Sequence, residues 1–127
     1  MVPDVTFGTS FSPEYATSKG KQEQVDAFRI LKTIHETLGI KDIRFGLRWN
    51  KIDHGKKIDL GFYREYLEYL FAHKCKVTLN IGPIKVFRWP EEHLPSHMKE
   101  HQTSYVTPDC ELAKHSYEYL DQLLKIL

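Results

Sequence analysis

Residues 43–49 read Ile43-Arg44-Phe45-Gly46-Leu47-Arg48-Trp49, large apolar side chains alternating with arginine or glycine until a tryptophan closes the run. Side chains of a strand point to opposite faces in turn, so Ile43, Phe45 and Leu47 share one face and Arg44, Gly46 and Arg48 the other. The apolar face asks for a layer of helices, and the arginine face asks for a polar interior. A central strand of a parallel β/α barrel meets both demands. An inward guanidinium also needs an anion, because an unpaired buried charge is costly.

The flanking sequence repeats a strand-then-helix pattern. Val5-Thr6-Phe7-Gly8-Thr9-Ser10-Phe11 alternates apolar and small residues and ends at Ser12-Pro13. Val25, Phe28, Leu31, Ile34 and Leu38 then recur at helical spacing, with Gly39 as a left-handed cap. After the strand at 42–48, Asp53-His54-Gly55-Lys56 reads as a turn and Asp59 as an N-cap. A second helical stripe follows in Phe62, Tyr66, Leu67, Leu70 and Phe71, with His73 and Lys74 where positive charge suits the helix dipole. The third strand is expected over 76–83, with Val77, Leu79 and Ile81 on one face and Thr78, Asn80 and Gly82 on the other. Thr107-Pro108-Asp109 signals a last helix that carries Leu112, Ser116, Tyr119, Leu120, Leu123 and Leu127.

Three such units predict parallel strands joined by crossovers. Gly8-Thr9-Ser10-Phe11-Ser12 lacks the glycine pattern of a dinucleotide or nucleotide phosphate loop, which favours a barrel over an open doubly wound sheet. A (β/α)8 TIM barrel has eight units in about 250 residues. With 127 residues and three units, the chain reads as the amino-terminal part of one such α/β domain. Missing strands would leave two open sheet edges, through which the isolated chain is expected to self-associate.

Composition narrows the partners. Eighteen basic against 17 acidic residues give a net charge of +1, with no electrostatic footprint for nucleic acid or an anionic membrane. The start Met1-Val2-Pro3-Asp4 does not resemble a secretory signal, and no apolar run approaches a membrane span, so a cytoplasmic location is expected. Cys75 and Cys110 form neither a disulfide framework nor a zinc pattern and are read as reduced thiols.

Barrel sites lie at the C-terminal ends of strands, which directs attention to residues 12–16, 49–53 and 82–101. The last segment is longer than a connection requires, a mark of binding loops. Trp49 and Trp89 have the broad aromatic face that stacks on a sugar ring, Asn80 can donate to a hydroxyl, and Arg48 and Arg88 flank the same loops. The packing alternative for both tryptophans stays open. His93, His97 and His101 fall at steps of four, but Pro95 interrupts them and Glu100 is misplaced for a zinc-protease motif. No metal and no cofactor is expected. Glu91-Glu92 is read as solvated, and Tyr63, Tyr66, Tyr69, Tyr117 and Tyr119 as packing residues.

Taken together, Phe7-Gly8-Thr9-Ser10-Phe11-Ser12, then Ile43 through Ile52, the Gly55 turn, Val77-Thr78-Leu79-Asn80 and Arg88-Trp89-Pro90 resemble the first three barrel units of clan A glycoside hydrolases, which include cellulases and β-galactosidases. The resemblance implies a retaining glycosidase acting on a β-linked oligo- or polysaccharide. It implies that Arg44 orients the nucleophilic glutamate and that Trp49 supports the sugar. Both catalytic glutamates of that family would follow on strands beyond residue 127. Exo-β-glucosidase specificity is disfavoured, because Glu14-Tyr15 and Ile81-Gly82 stand where those enzymes carry glutamine and histidine. The rival reading is a noncatalytic carbohydrate-binding or scaffolding α/β module.

Overall fold

The computed structural model describes residues 4–81, 92–103 and 105–127. The chain divides into two compact units, Met1–Gly46 with Tyr63–Asn80, and Leu47–Phe62 with Ile81–Leu127.

The first unit is built on a three-stranded parallel sheet, β1 (Gly8–Phe11), β2 (Asp42–Gly46) and β3 (Lys76–Asn80), in the order β1-β2-β3. Each strand is shorter than its alternating sequence suggests. Val5 and Phe7 lie exposed ahead of β1, and Leu47 and Arg48 follow the end of β2. The register aligns Thr9, Ile43 and Val77 in one row and Phe11, Phe45 and Leu79 in the next on the same face. Ile43 and Phe45 are fully buried there.

That face is covered by aromatic side chains from α4 (Gly61–Ala72). Tyr63 and Tyr66 place their rings 5.9 and 6.2 Å from Phe45, and Tyr66 also meets Phe11 at 6.0 Å. The buried stripe is Tyr63, Tyr66, Leu67, Tyr69 and Leu70, whereas Phe62 and Phe71, expected on it, are exposed. Both lie at the edge of an apolar arc that is wider than one helix face can bury.

Between β1 and β2 the sequence reading missed a helix. Ser12-Pro13 does not merely end the strand: Ser12 is the N-cap of α1 (Pro13–Glu23), its hydroxyl accepts the Tyr15 N–H, and Pro13 occupies the first turn. The α1 stretch is polar apart from buried Pro13, Ala16 and Gly20, so it carries almost no apolar periodicity to read. Asp26 then caps α2 (Ala27–Lys32) by accepting the N–H groups of Phe28 and Arg29 at 2.9 and 3.1 Å. The expected stripe is realised in Leu31, fully buried, and in Phe28, which packs edge-on against Tyr66 and Tyr69. The helix widens into a π-helical turn over Thr33–Thr37, and Gly39 follows at φ +68°, the left-handed conformation expected of it.

The π-helical turn carries His35 and Glu36 to Tyr69. The Tyr69 hydroxyl donates to Glu36 Oε1 at 2.9 Å, so His35, 2.9 Å away through Nδ1, donates to the phenol oxygen. Burial first, and then the Glu36 bond and charge, push the Tyr69 phenol from 10.0 up to about 12. Its folded value therefore lies above its unfolded one. Between the two the native state holds more protons than the unfolded chain, so this contribution is intact below pH 10.0 and is lost as pH rises toward about 12. In an alkaline titration of thermal stability, wild type is expected to fall more steeply over that window than Tyr69→Phe.

The second unit contains α3 (Trp49–Ile52), a bridge between Asp53 and Ile58, a 3₁₀ helix (Ser96–His101) and α5 (Glu111–Ile126). Leu47, Trp49, Ile52, Met98 and Leu123 are its most deeply buried apolar residues, with Tyr119 beside them. The turn at Asp53-His54-Gly55-Lys56 forms as expected, with Asp53 Oδ1 accepting the Gly55 N–H at 2.8 Å and Gly55 at φ +83°. Asp59 accepts the Gly61 N–H at 2.8 Å at the entrance to α4. The α5 helix starts later than Thr107-Pro108-Asp109 predicts. The Thr107 carbonyl takes the Cys110 N–H and closes a turn, and Cys110 becomes the N-cap, its sulfur accepting from Ala113 N. Leu112, Ser116, Tyr119 and Leu123 are buried as their spacing implies, while Tyr117 and Leu127 are exposed. No helix among the described residues is long and apolar enough to cross a membrane.

Candidate functional site

The sheet face opposite the aromatic rows is where the strands of the first unit present chemistry. Opposite the aromatic rows, Gly8, Asp42 and Lys76 align in one row, Ser10, Arg44 and Thr78 in the next, and Gly46 with Asn80 in the last. Strand alternation in three parallel strands at matched register produces such rows. Lys76 Nζ pairs with Asp42 Oδ2 at 3.3 Å. Arg44 stands on the central strand between the Ser10 and Thr78 positions, and all three are exposed. Arg44 is thus exposed in the structure, where the sequence pattern predicts an interior position. A shallow depression of about 220 Å³ lies against it, lined by Gly8, Thr9, Ser10, Asp42 and Arg44.

Asn80 follows one row on, half-buried, and its Nδ2 has no hydrogen-bond partner among the described residues. A buried amide donor in that condition is costly unless an acceptor reaches it. Beside β1, Glu14 of α1 is drawn into the fold by two donors: the Tyr63 hydroxyl bonds Oε1, and Ser12 Oγ bonds Oε2 at 3.0 Å. This carboxylate is held by the structure and was read in the sequence only as a departure from a family pattern.

The second unit places the remaining candidates. Arg48 is half-buried at the N-cap position of α3. Trp49 is fully buried, its indole N–H donates to Asp53 Oδ2 at 2.8 Å, and its ring lies 5.3 Å from Tyr119. Of the two readings left open for it, the structure shows the packing one, because a ring with no exposed face offers a sugar nothing to stack on. Arg88 and Trp89 lie outside the described residues, as do Gly82 and Glu91. Glu92 is exposed and accepts from Gln102 Nε2 at 2.5 Å.

The histidines at steps of four are dispersed by the 3₁₀ helix. His93 is buried and its carbonyl accepts the Asn50 N–H at 3.0 Å, His97 turns to Asp53 at 3.5 Å, and His101 stacks on His115 at 6.0 Å. Among the described residues no three His, Cys, Asp or Glu are placed to hold a metal ion. What the helix assembles instead is a cleft of about 190 Å³ bounded by the turn at 53–58 and α5, with Asp53, Lys56, His97, His115, Glu118 and Tyr119 among its lining. No local signal in the sequence marks this group, since its members come from three separate stretches. Only the Asp53-Gly55 turn was legible.

Comparison with protein-family models, with curated proteins and with solved structures finds no match for this chain.

Proposed function

We propose that residues 1–127 form the opening β/α units of a TIM-barrel glycoside hydrolase of the clan A type, cleaving O-glycosidic bonds of a β-linked saccharide with retention of configuration. The observation that supports this reading is the sheet itself: three parallel strands in chain order, aromatic rows under a helix on one face, and Ser10, Arg44, Thr78 and Asn80 presented together on the other. In a closed barrel that second face is the interior. Arg44 would project into it, and Asn80 would find an acceptor there.

In the retaining mechanism one glutamic acid protonates the leaving oxygen while a glutamate about 5–5.5 Å away forms the glycosyl-enzyme, which water then releases. On this reading both glutamates lie on strands after residue 127, and the chain contributes a positioning residue, Arg44. Its cationic, bidentate side chain would hold the nucleophile ionised and aligned. Arg48 stands at the loop end of β2, and the Arg88-Trp89 loop supplies the candidate sugar contact. The outer edges of β1 and β3 are where further strands would pair, and where the isolated chain is expected to self-associate.

The test is hydrolysis of aryl β-glycosides by a polypeptide that continues past Leu127. Arg44→Ala is expected to lower kcat by about 10²–10³, and Arg44→Lys to recover part of the rate. The 127-residue chain alone is expected to hydrolyse nothing. Hydrolysis by that chain, or full activity in Arg44→Ala, sinks the proposal. Tight oligosaccharide binding by the isolated chain supports the noncatalytic module instead.

A further inference from the structure

The three parallel strands start at one end of the sheet, where Gly8, Asp42 and Lys76 stand in register. The glycosidase reading uses the opposite, C-terminal ends, so what gathers here is independent of it. A groove of about 420 Å³ opens at this end of the first unit, a size within the range of small-ligand sites. Phe7, Leu38 and Ile40 are its apolar lining, and Lys41, Asp42, Lys74 and Lys76 carry its charge.

The lining is open to a ligand. Phe7 is 76% exposed and Leu38 64%, and two large apolar side chains left uncovered in one groove make a patch rather than a scatter. Lys76 is paired with Asp42 at 3.3 Å, and those two charges cancel. Lys41 and Lys74 are exposed and form no ion pair among the described residues, so the lining keeps two uncompensated cations. The helix ends beside them do not offset that charge, because their carbonyls are already occupied. Gly39 N–H donates to His35 O at 3.1 Å, Ile40 N–H to Ile34 O at 3.2 Å, Lys74 N–H to Phe71 O at 3.0 Å and Cys75 N–H to Leu70 O at 2.9 Å. Lys74 also sits at φ 54°, where glycine is the least strained occupant, so a charged side chain is kept there at a backbone cost.

We propose that this groove binds a small amphiphilic anion, an apolar chain ending in a carboxylate, with the chain on Phe7, Leu38 and Ile40 and the head group on Lys41 and Lys74. Removing the exposed apolar surface from water supplies most of the affinity and is indifferent to direction. The two lysines then decide which head group is accepted. A neutral chain gains only the first contribution, and a cationic chain is repelled by the second.

Octanoate, 1-octanol and octylammonium share one chain and differ in head group, so titrating each into the 127-residue chain while following 15N amide shifts separates the two contributions. Saturable octanoate binding is expected, with shifts centred on residues 38–41 and 74–76. It should be about tenfold tighter than octanol, in line with two exposed charge contacts, and should weaken as salt is raised. Phe7→Ser is expected to weaken octanoate and octanol alike, by about tenfold or more. The double variant Lys41→Glu, Lys74→Glu should reverse the order and take octylammonium in preference to octanoate. Lys21→Glu, exposed on the same unit and outside the groove, should bind as wild type. Circular dichroism checks that each variant keeps the wild-type fold. Absence of saturable octanoate binding overturns the proposal. So does equal affinity for all three chains, or octanoate affinity unchanged in both Phe7→Ser and the double lysine variant.

Discussion

Trp49→Ala is expected to destabilise the second unit by about 3–5 kcal/mol, enough to abolish a cooperative melt in a domain of ordinary stability. The substitution empties a site with no solvent contact, removes the ring that faces Tyr119 at 5.3 Å, and takes away the donor that Asp53 Oδ2 accepts at 2.8 Å. Trp49→Phe separates the two contributions. It fills much of the volume and loses the N–H, so it should cost about 1–3 kcal/mol. Chemical denaturation followed by Tyr and residual Trp fluorescence measures both. If Trp49→Ala melts like wild type but loses sugar affinity, the side chain belongs to a binding surface.

Gly20→Ala is the counterpart in the first unit, with an expected cost of about 3 kcal/mol, at the upper end of what overpacking produces. Gly20 lies in the last turns of α1, where the chain reverses through Gln24, at φ 56°, to enter α2. The Gly20 carbonyl accepts the Val25 N–H at 2.8 Å, and a Cβ on Gly20 would stand 2.0 Å from the Val25 oxygen. A side chain could swing aside from such an encounter, but a backbone carbonyl in a two-helix corner cannot. Circular dichroism across a thermal ramp is expected to show an early loss of helix. Gly39→Ala provides the contrast: nothing lies within 4 Å of its Cβ, so its cost comes only from the left-handed φ and should be about 1 kcal/mol. Equal effects at the two glycines would remove the argument for the corner.

The alternation of residues 43–49 was enough to predict which side of β2 is buried. Ile43 and Phe45 are both at 0% exposure while Arg44 between them is exposed, because apolar side chains repeated at the strand period leave one solution for the sheet face. The parallel order of the strands followed from the helical stretches between them. Helix α1 stayed hidden because it buries two small residues and a proline rather than an apolar stripe, and the start of α5 was misjudged because Thr107-Pro108 suits a turn as well as an N-terminus. In the candidate site, Arg44 and Asn80 were recognised by strand parity alone, and the structure puts them on one face of adjacent strands.

Trp49 marks the boundary between the two sources of information. Its chemistry is equally suited to a sugar face and to a core, and nothing in the local sequence distinguishes them; the Asp53 carboxylate and the Tyr119 ring decided for the core. The cleft between the turn at 53–58 and α5 is tertiary throughout. Asp53, His97 and Tyr119 have no periodic relation, and only packing brings a saturated carboxylate, a histidine and an unsatisfied hydroxyl to one place. What the amino-acid sequence determined by itself was the set of strands and the sidedness of each, since those follow from side-chain periods of a few residues. Which polar groups meet, and which remain buried with a hydrogen bond to give, depended on distances that no period encodes.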